Sequence, residues 1–311
     1  MRQPIDRRSF LLGSTGLLGL AATSACASGG AAAEGGKEPL FRLSLAEWSL
    51  HRSLFGRAEP HLTNLDFPRV ARELGFEGCE YVNQFFKDKG TDARYLAELA
   101  RICDGEGVRS LLIMCDGEGA LGDPDDARRR TAVQNHHRWV DAGRRLGCHS
   151  IRVNAESSGT WDEQQKLAAD GLRALTDYAA PLGLNVIVEN HGGLSSNGKW
   201  LSGVMRMVGH PRCGTLPDFG NFHVGKDEDY DRYQGVAEMM PFAKAVSAKS
   251  YAFGPDGNET TIDFLRMLRV VVDAGYHGHV GVEFEGNGLS ERDGILATKR
   301  LLERVRDELS A

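Results

Sequence analysis

The sequence predicts an α/β protein built as a single (β/α)8 TIM barrel, and three observations carry that expectation. From Phe41 onward, short apolar runs alternate with longer amphipathic stretches, the pattern of strand–helix units whose strands pair in parallel through right-handed crossovers. Leu74-Gly75-Phe76, Leu146-Gly147-Cys148, Leu182-Gly183-Leu184 and Ala274-Gly275-Tyr276 each place a glycine where a helix should stop, because glycine turns left-handed without a Cβ clash. Length agrees: of 311 residues, a leader of about 35 leaves about 275, close to the ~250 of one such barrel. An open doubly wound sheet would carry a glycine-rich phosphate loop after its first strand, and Phe41-Arg42-Leu43-Ser44-Leu45-Ala46-Glu47-Trp48 has none.

The elements follow in order. Asp6-Arg7-Arg8-Ser9-Phe10-Leu11-Leu12 and the weakly apolar stretch Gly13 to Ala25 resemble a twin-arginine export signal. Residues 1–35 are therefore read as signal peptide and linker, and 38–311 as the barrel domain. Ala25-Cys26-Ala27 fits a small-x-small cleavage site. Ser24-Ala25-Cys26 also fits a degenerate lipobox that would anchor Cys26 by a lipid, but Thr23 stands where leucine is usual, which favours simple cleavage. Such a leader implies export of a folded protein, often with its cofactor inserted, to the periplasm or the outer face of the membrane.

The predicted strands are Phe41–Leu45, Cys79–Val82, Val108–Met114, Ser150–Asn154, Asn185–Glu189, Gly214–Asp218, Ala245–Lys249 and Val280–Phe284. Among the stretches between them, Asp125–Leu146, Glu163–Leu182 and Asp263–Ala274 show helical periodicity most clearly. Five cysteines follow Cys26, scattered and without a CxxC pair, so they read as small buried hydrophobes rather than as a disulfide or zinc framework. A net charge of −6 argues against a partner with a phosphate backbone, and no apolar run past the leader approaches the ~20 residues of a membrane span.

Barrel enzymes place their chemistry at the C-terminal ends of the strands. Strand five ends in Glu189-Asn190-His191, strand six in Asp218-Phe219-Gly220-Asn221, strand seven in Lys249 and strand eight in Glu283-Phe284-Glu285. Three carboxylates and an amine on consecutive apolar strands would meet when the barrel closes, and crowded carboxylates repel unless a cation neutralises them. Oxygen ligands favour a hard divalent ion, Mn²⁺ or Mg²⁺. Taken singly, Asp218 reads as a turn-former, Lys249 as an ion-pair partner of Glu283, His191 as a loop histidine and Trp48 as packing at the mouth. Glu285 reads as a bystander, pointing the same way as Glu283 but farther into the loop.

Gly78-Cys79-Glu80-Tyr81, Val188-Glu189-Asn190, Pro217-Asp218-Phe219-Gly220-Asn221, Ala248-Lys249 and Gly275-Tyr276-x-Gly278 before Val282-Glu283 together resemble the sugar phosphate isomerase/epimerase family, the xylose isomerase-like barrels, from Phe41 to Leu309. The resemblance implies a metal site of Glu189, Asp218 and Glu283, with one departure: Ser247 stands where the family has its histidine ligand, two residues before the strand-seven lysine. It further implies that the ion polarises a keto-sugar, that Glu189 and Glu283 exchange a proton next to the carbonyl through an enediolate, and that Lys249 steadies the oxyanion. His191 and Glu80 would contact hydroxyls and Trp48 would wall the sugar. The expected partner is a small unphosphorylated carbohydrate. Three activities remain open at this point: epimerisation or isomerisation, elimination by a keto-glycoside lyase or dehydratase, and plain sugar binding by a barrel whose metal site has decayed. The nuclease relatives use further histidine ligands that find no counterpart here.

Overall fold

The computed structural model describes residues 38–311; the leader with Arg7, Arg8 and Cys26 lies outside the described residues. Each predicted apolar run is a strand: β1 Arg42–Ala46, β2 Gly78–Val82, β3 Arg109–Met114, β4 Ser150–Val153, β5 Asn185–Glu189, β6 Cys213–Leu216, β7 Val246–Ser250 and β8 His279–Phe284. They pair in parallel in the order β6-β5-β4-β3-β2-β1-β8-β7. The ring closes between β6 and β7 through Ser247 N–H to the Pro217 carbonyl at 2.9 Å and Phe219 N–H to the Ser247 carbonyl at 3.1 Å. The predicted sixth strand ends early, at Leu216, and Asp218 follows as an isolated bridge to Ser247.

Helices cover the outside: α1 Phe67–Glu73, α2 Ala93–Glu106, α3 Asp126–Leu146, α4 Trp161–Ala179, α5 Gly198–Val208, α6 Arg232–Met239, α7 Phe264–Asp273 and α8 Glu291–Ser310. Their starts are written in the sequence as side-chain caps, for example Asp125 accepting from Arg128 N–H and a reciprocal Thr160–Glu163 box. The four predicted stop glycines all have left-handed φ, between 77° at Gly75 and 84° at Gly183. Among the described residues no helix is long and apolar enough to cross a membrane, and the five cysteines are free and buried.

Strand alternation sorts every side chain into one of two cores. Leu43, Leu45, Cys79, Tyr81, Ile151, Val153, Val186, Val188, Val246, Ala248, Val280 and Val282 face the helices. Ala46, Val82, Leu112, Met114, Ile187 and Leu216 fill the barrel interior. The inward parity therefore also carries Ser44, Glu80, Arg152, Glu189, Ser247, Lys249 and Glu283. An apolar plug thus lies inside the ring, and its polar layers are made of those residues.

The outer packing is tight enough to test. A Cβ on Gly171 of α4 would stand 1.9 Å from the Leu121 carbonyl oxygen in the loop after β3. That atom is backbone and cannot swing aside. Gly171→Ala should therefore destabilise the fold by about 1–3 kcal/mol, although alanine in an open helix position would add about 1 kcal/mol. Chemical denaturation of the two proteins measures the sign.

Candidate metal centre and active site

Glu189 ends β5, Asp218 follows β6 and Glu283 sits on β8 opposite Lys249 of β7. One carboxylate oxygen from each acid lies within 4.8 Å of the other two, and all three side chains are buried. The structure thus brings together the three acids singled out as metal ligands.

Each is held by its own partners. Asp218 Oδ1 accepts the N–H groups of Gly220 at 2.8 Å and Asn221 at 2.9 Å, and its Oδ2 accepts the Ser247 hydroxyl at 2.7 Å. Asn221 Nδ2 donates to Glu189 Oε1 at 2.9 Å. Lys249 Nζ lies 3.0 Å from Glu283 Oε1 and 3.0 Å from Glu285 Oε2, and it reaches Asn221 Oδ1 at 3.3 Å. Asn190 ties the rim together, accepting Asp218 N–H at 2.7 Å and donating to the carbonyls of Asp218 and Asn221 at 3.0 and 2.9 Å.

Arg152, inward on β4, is a counter-charge: the sequence offers it beside Lys249 as a basic residue near the mouth, but not its pairing with the acids. Its Nη1 donates to Asp116 at 2.8 Å, and its Nε stands 2.6 Å from Glu189 Oε2. The N–H does not aim at that oxygen, so the contact is ionic, and Glu189 Oε2 has no hydrogen-bond partner among the described residues. A buried carboxylate oxygen without a donor, beside two more carboxylates, fits an oxygen-liganded divalent cation. Glu189, Asp218 and Glu283 would hold it. Ser247 does not replace the expected imidazole in kind, since its hydroxyl is spent on Asp218 and reaches Glu283 Oε2 only at 3.5 Å.

Burial pushes Glu189 up to about 7 against the pull of Arg152, with Glu283 adding to the rise. Burial likewise lifts Asp218 to about 7 although Lys249 opposes it. Burial alone would lower Lys249, but Glu283, Asp218 and Glu189 hold it well above its ordinary value. Asp116 falls to about 2 despite burial because Arg152 faces it.

The remaining predicted residues occupy different places. Glu80 is 1 % exposed and lies one step below the acid layer, its carboxyl filling the space that Gly281 leaves without a side chain and accepting Ser44 Oγ at 2.5 Å. It forms the floor of the site rather than a wall open to solvent. Trp48 lies at the mouth and donates from Nε1 to Glu285 at 2.9 Å. Glu285 is therefore no bystander: it joins Trp48 to Lys249. His191 borders a cleft of about 270 Å³ with Asn154 and Ser157, and desolvation together with the Arg152 cation lowers its pKa.

The profile of the xylose isomerase-like TIM barrel family matches residues 68–306, and the chain belongs to that family. Among the curated proteins none matches the chain. Among solved structures, the 3-keto-D-glucoside 4-epimerase YcjR from E. coli is similar with a TM-score of 0.67 at 17 % identity, covering 85 % of this chain and 99 % of its own. The IolI protein with a bound zinc atom gives 0.68 at 15 %, covering 86 % and 99 %. A xylose isomerase-like TIM barrel protein from Mycobacterium smegmatis in complex with magnesium gives 0.65 at 16 %, covering 86 % and 97 %. At these identities the likeness is one of fold.

Protons and a cation compete for the acid cluster. Carboxylates raised from 4.5 and 3.8 to about 7 bind more protons folded than unfolded, so between those values the metal-free protein should lose stability as pH rises. Mn²⁺ added after chelation should raise the melting temperature, and more at about pH 8 than at about pH 6, because binding requires the deprotonated acids. A shift that is absent at both pH values would show that the acids hold no ion.

Proposed function

We propose that this xylose isomerase-like barrel is a cation-dependent epimerase or isomerase of an unphosphorylated keto-sugar or polyol ketone, acting by proton transfer at the carbon next to the carbonyl. The carrying observation is the convergence of Glu189, Asp218 and Glu283 within 4.8 Å at the end of the barrel where such folds hold their active sites. The sugar epimerase among the similar structures supports the same reading. A divalent cation held by these acids, Mn²⁺ or Mg²⁺ by the oxygen ligands, would polarise the carbonyl as a Lewis acid and lower the pKa of the neighbouring C–H.

The protein groups do the rest. Glu189 and Glu283 project from strands three places apart round the ring, so each can address a different face of a substrate lying over Asp218. Asn221 orients Glu189 through its Oε1 and Lys249 orients Glu283 through its Oε1, so each carboxylate is held in place to take or return a proton. Lys249 keeps its charge, and by giving up its long 3.3 Å contact with Asn221 it can donate one N–H to the enediolate oxygen that develops as the proton leaves. The two cations in the cluster are committed to carboxylates: Arg152 to Asp116 and Glu189, Lys249 to Glu283 and Glu285. This supports a substrate without a phosphate, as does the leader-like start, which points to work outside the cytoplasm.

Glu189→Gln and Glu283→Gln should each lower kcat by about 10²–10⁴-fold while leaving the melting temperature within a few degrees. Turnover of unphosphorylated keto-sugars in deuterated water separates the activities: deuterium at the carbon next to the carbonyl with every substituent retained is epimerisation or isomerisation. Release of a β-substituent would move the assignment to a lyase or dehydratase, and sugar binding indifferent to chelator and to both substitutions would make the barrel a binder.

A further inference from the structure

We infer that the β1–β2 side of the mouth is a second sugar-ring subsite, so that the substrate is a glycoside with a ring beyond the reacting one; this rests on the keto-sugar reading of the acid cluster. Trp48 stacks on His51 with centroids 5.0 Å apart and planes inclined 17°. Phe55 and Phe85 each lie 6.2 Å from Trp48 and 5.0 Å from one another. Phe85 is inclined 30° to the indole and Phe55 stands edge-on to it at 85°, so the three rings make a stepped aromatic platform broader than one six-membered ring.

The platform is continuous with the acid cluster. Trp48 Nε1 bonds Glu285 at 2.9 Å, Glu285 meets Lys249 at 3.0 Å, and Lys249 meets Glu283 at 3.0 Å. Trp48 and Phe85 also rest directly on the apolar plug inside the barrel, which places them over the same opening. A ring turned over beside Lys249 therefore has Trp48 as its neighbour, with the Phe55 and Phe85 centroids each 6.2 Å from the indole. Phe55 is 40 % exposed, an apolar face left in water at the edge of a polar site.

Such a surface suits a carbohydrate. A pyranose offers a flat C–H face that packs on an aromatic ring and a rim of hydroxyls that needs polar partners. The Arg57 guanidinium, 5.0 Å from the Phe55 centroid, supplies donors at the outer edge. The platform is also preformed. Glu47 accepts from Asn64 and from Val82 N–H, each at 2.8 Å, which pins the Trp48 segment to the end of β2. Glu291 accepts from Arg52 N–H at 2.6 Å and Ser53 Oγ at 2.6 Å, which pins the turn leading to Phe55. Little ordering remains to be done on binding, and that favours affinity.

The test is calorimetric titration of the metal-loaded protein with glucose and with cellobiose, maltose and trehalose, none of which carries the keto group needed for turnover. At least one disaccharide should bind about tenfold more tightly than glucose, and Phe55→Ala should bring that ratio close to one. Phe55→Ala should keep the wild-type melting curve because the ring is exposed; Phe85→Leu, which keeps bulk but removes the aromatic face, should lower the ratio in the same direction. If every disaccharide matches glucose, or if Phe55→Ala weakens both classes equally, there is no second-ring subsite. Those results leave the proton-transfer reading intact, since deuterium exchange on a keto-monosaccharide tests it separately.

Discussion

Repulsion among carboxylates that cannot move apart is the constraint on which this site depends. Strand parity sends Glu80, Glu189 and Glu283 inward, and the bridge to Ser247 fixes Asp218 beside them. Asp116 and Glu285 complete six acids around two cations, Arg152 and Lys249. Burial weakens solvent screening and makes each unpaired charge costly. The barrel meets that cost in three ways: protons are retained on Glu189 and Asp218 up to about 7, N–H groups are aimed at Asp218, and the two cations are shared among several acids. The apolar plug beneath, with Ile187, Leu216, Leu112 and Met114, contributes the stability that the polar layer withdraws, at about 1.5–3 kcal/mol for each large aliphatic side chain buried.

The eight strands and the stop glycines were legible because they depend on local signals: apolar runs of strand length, and a conformation that only glycine takes easily. Glu189, Asp218, Lys249 and Glu283 were legible because an acid or amine at the end of an apolar strand has few structural reasons to be there. Arg152 was not, since a single arginine in Ser150-Ile151-Arg152-Val153 looks the same whether it points inward or outward; only the alternation of Ile151 and Val153 against the helices fixes its direction. Asn221 was visible only as part of a turn, and its bridge between Glu189 and Lys249 depends on how the loop after β6 folds back. Glu285 has the right parity, but its role is set by Trp48, 237 residues away in sequence. Long-range partners of this kind leave no local trace.

The mouth is divided between two chemistries. The β5–β8 side is charged and the β1–β2 side is aromatic, and the Trp48–Glu285 hydrogen bond joins them. A sugar has the same division, with polar oxygens that a charged site can polarise and a C–H face that water solvates poorly. The order of the strands round the ring, with β8 next to β1, is what puts the two halves side by side although they come from opposite ends of the chain.

Ser247 shows how a single change in donor alters the logic of such a site. An imidazole at that position would add a neutral ligand and leave Asp218 Oδ2 without the hydroxyl, while Oδ1 would still accept the N–H groups of Gly220 and Asn221. A hydroxyl instead spends its proton on Asp218 Oδ2, and Arg152 presses its cation against Glu189 Oε2. Any metal must therefore draw Asp218 from a hydrogen bond and Glu189 from an ionic contact. Lys249 cannot take its place, because its ammonium is already divided between Glu283 and Glu285, and Glu189 Oε2 still lacks a hydrogen-bond donor. With three carboxylates as the protein ligands, a bound divalent ion would keep more positions open to water or substrate oxygens than it would beside a histidine. Weaker retention and a more open coordination sphere would follow together from the hydroxyl at Ser247.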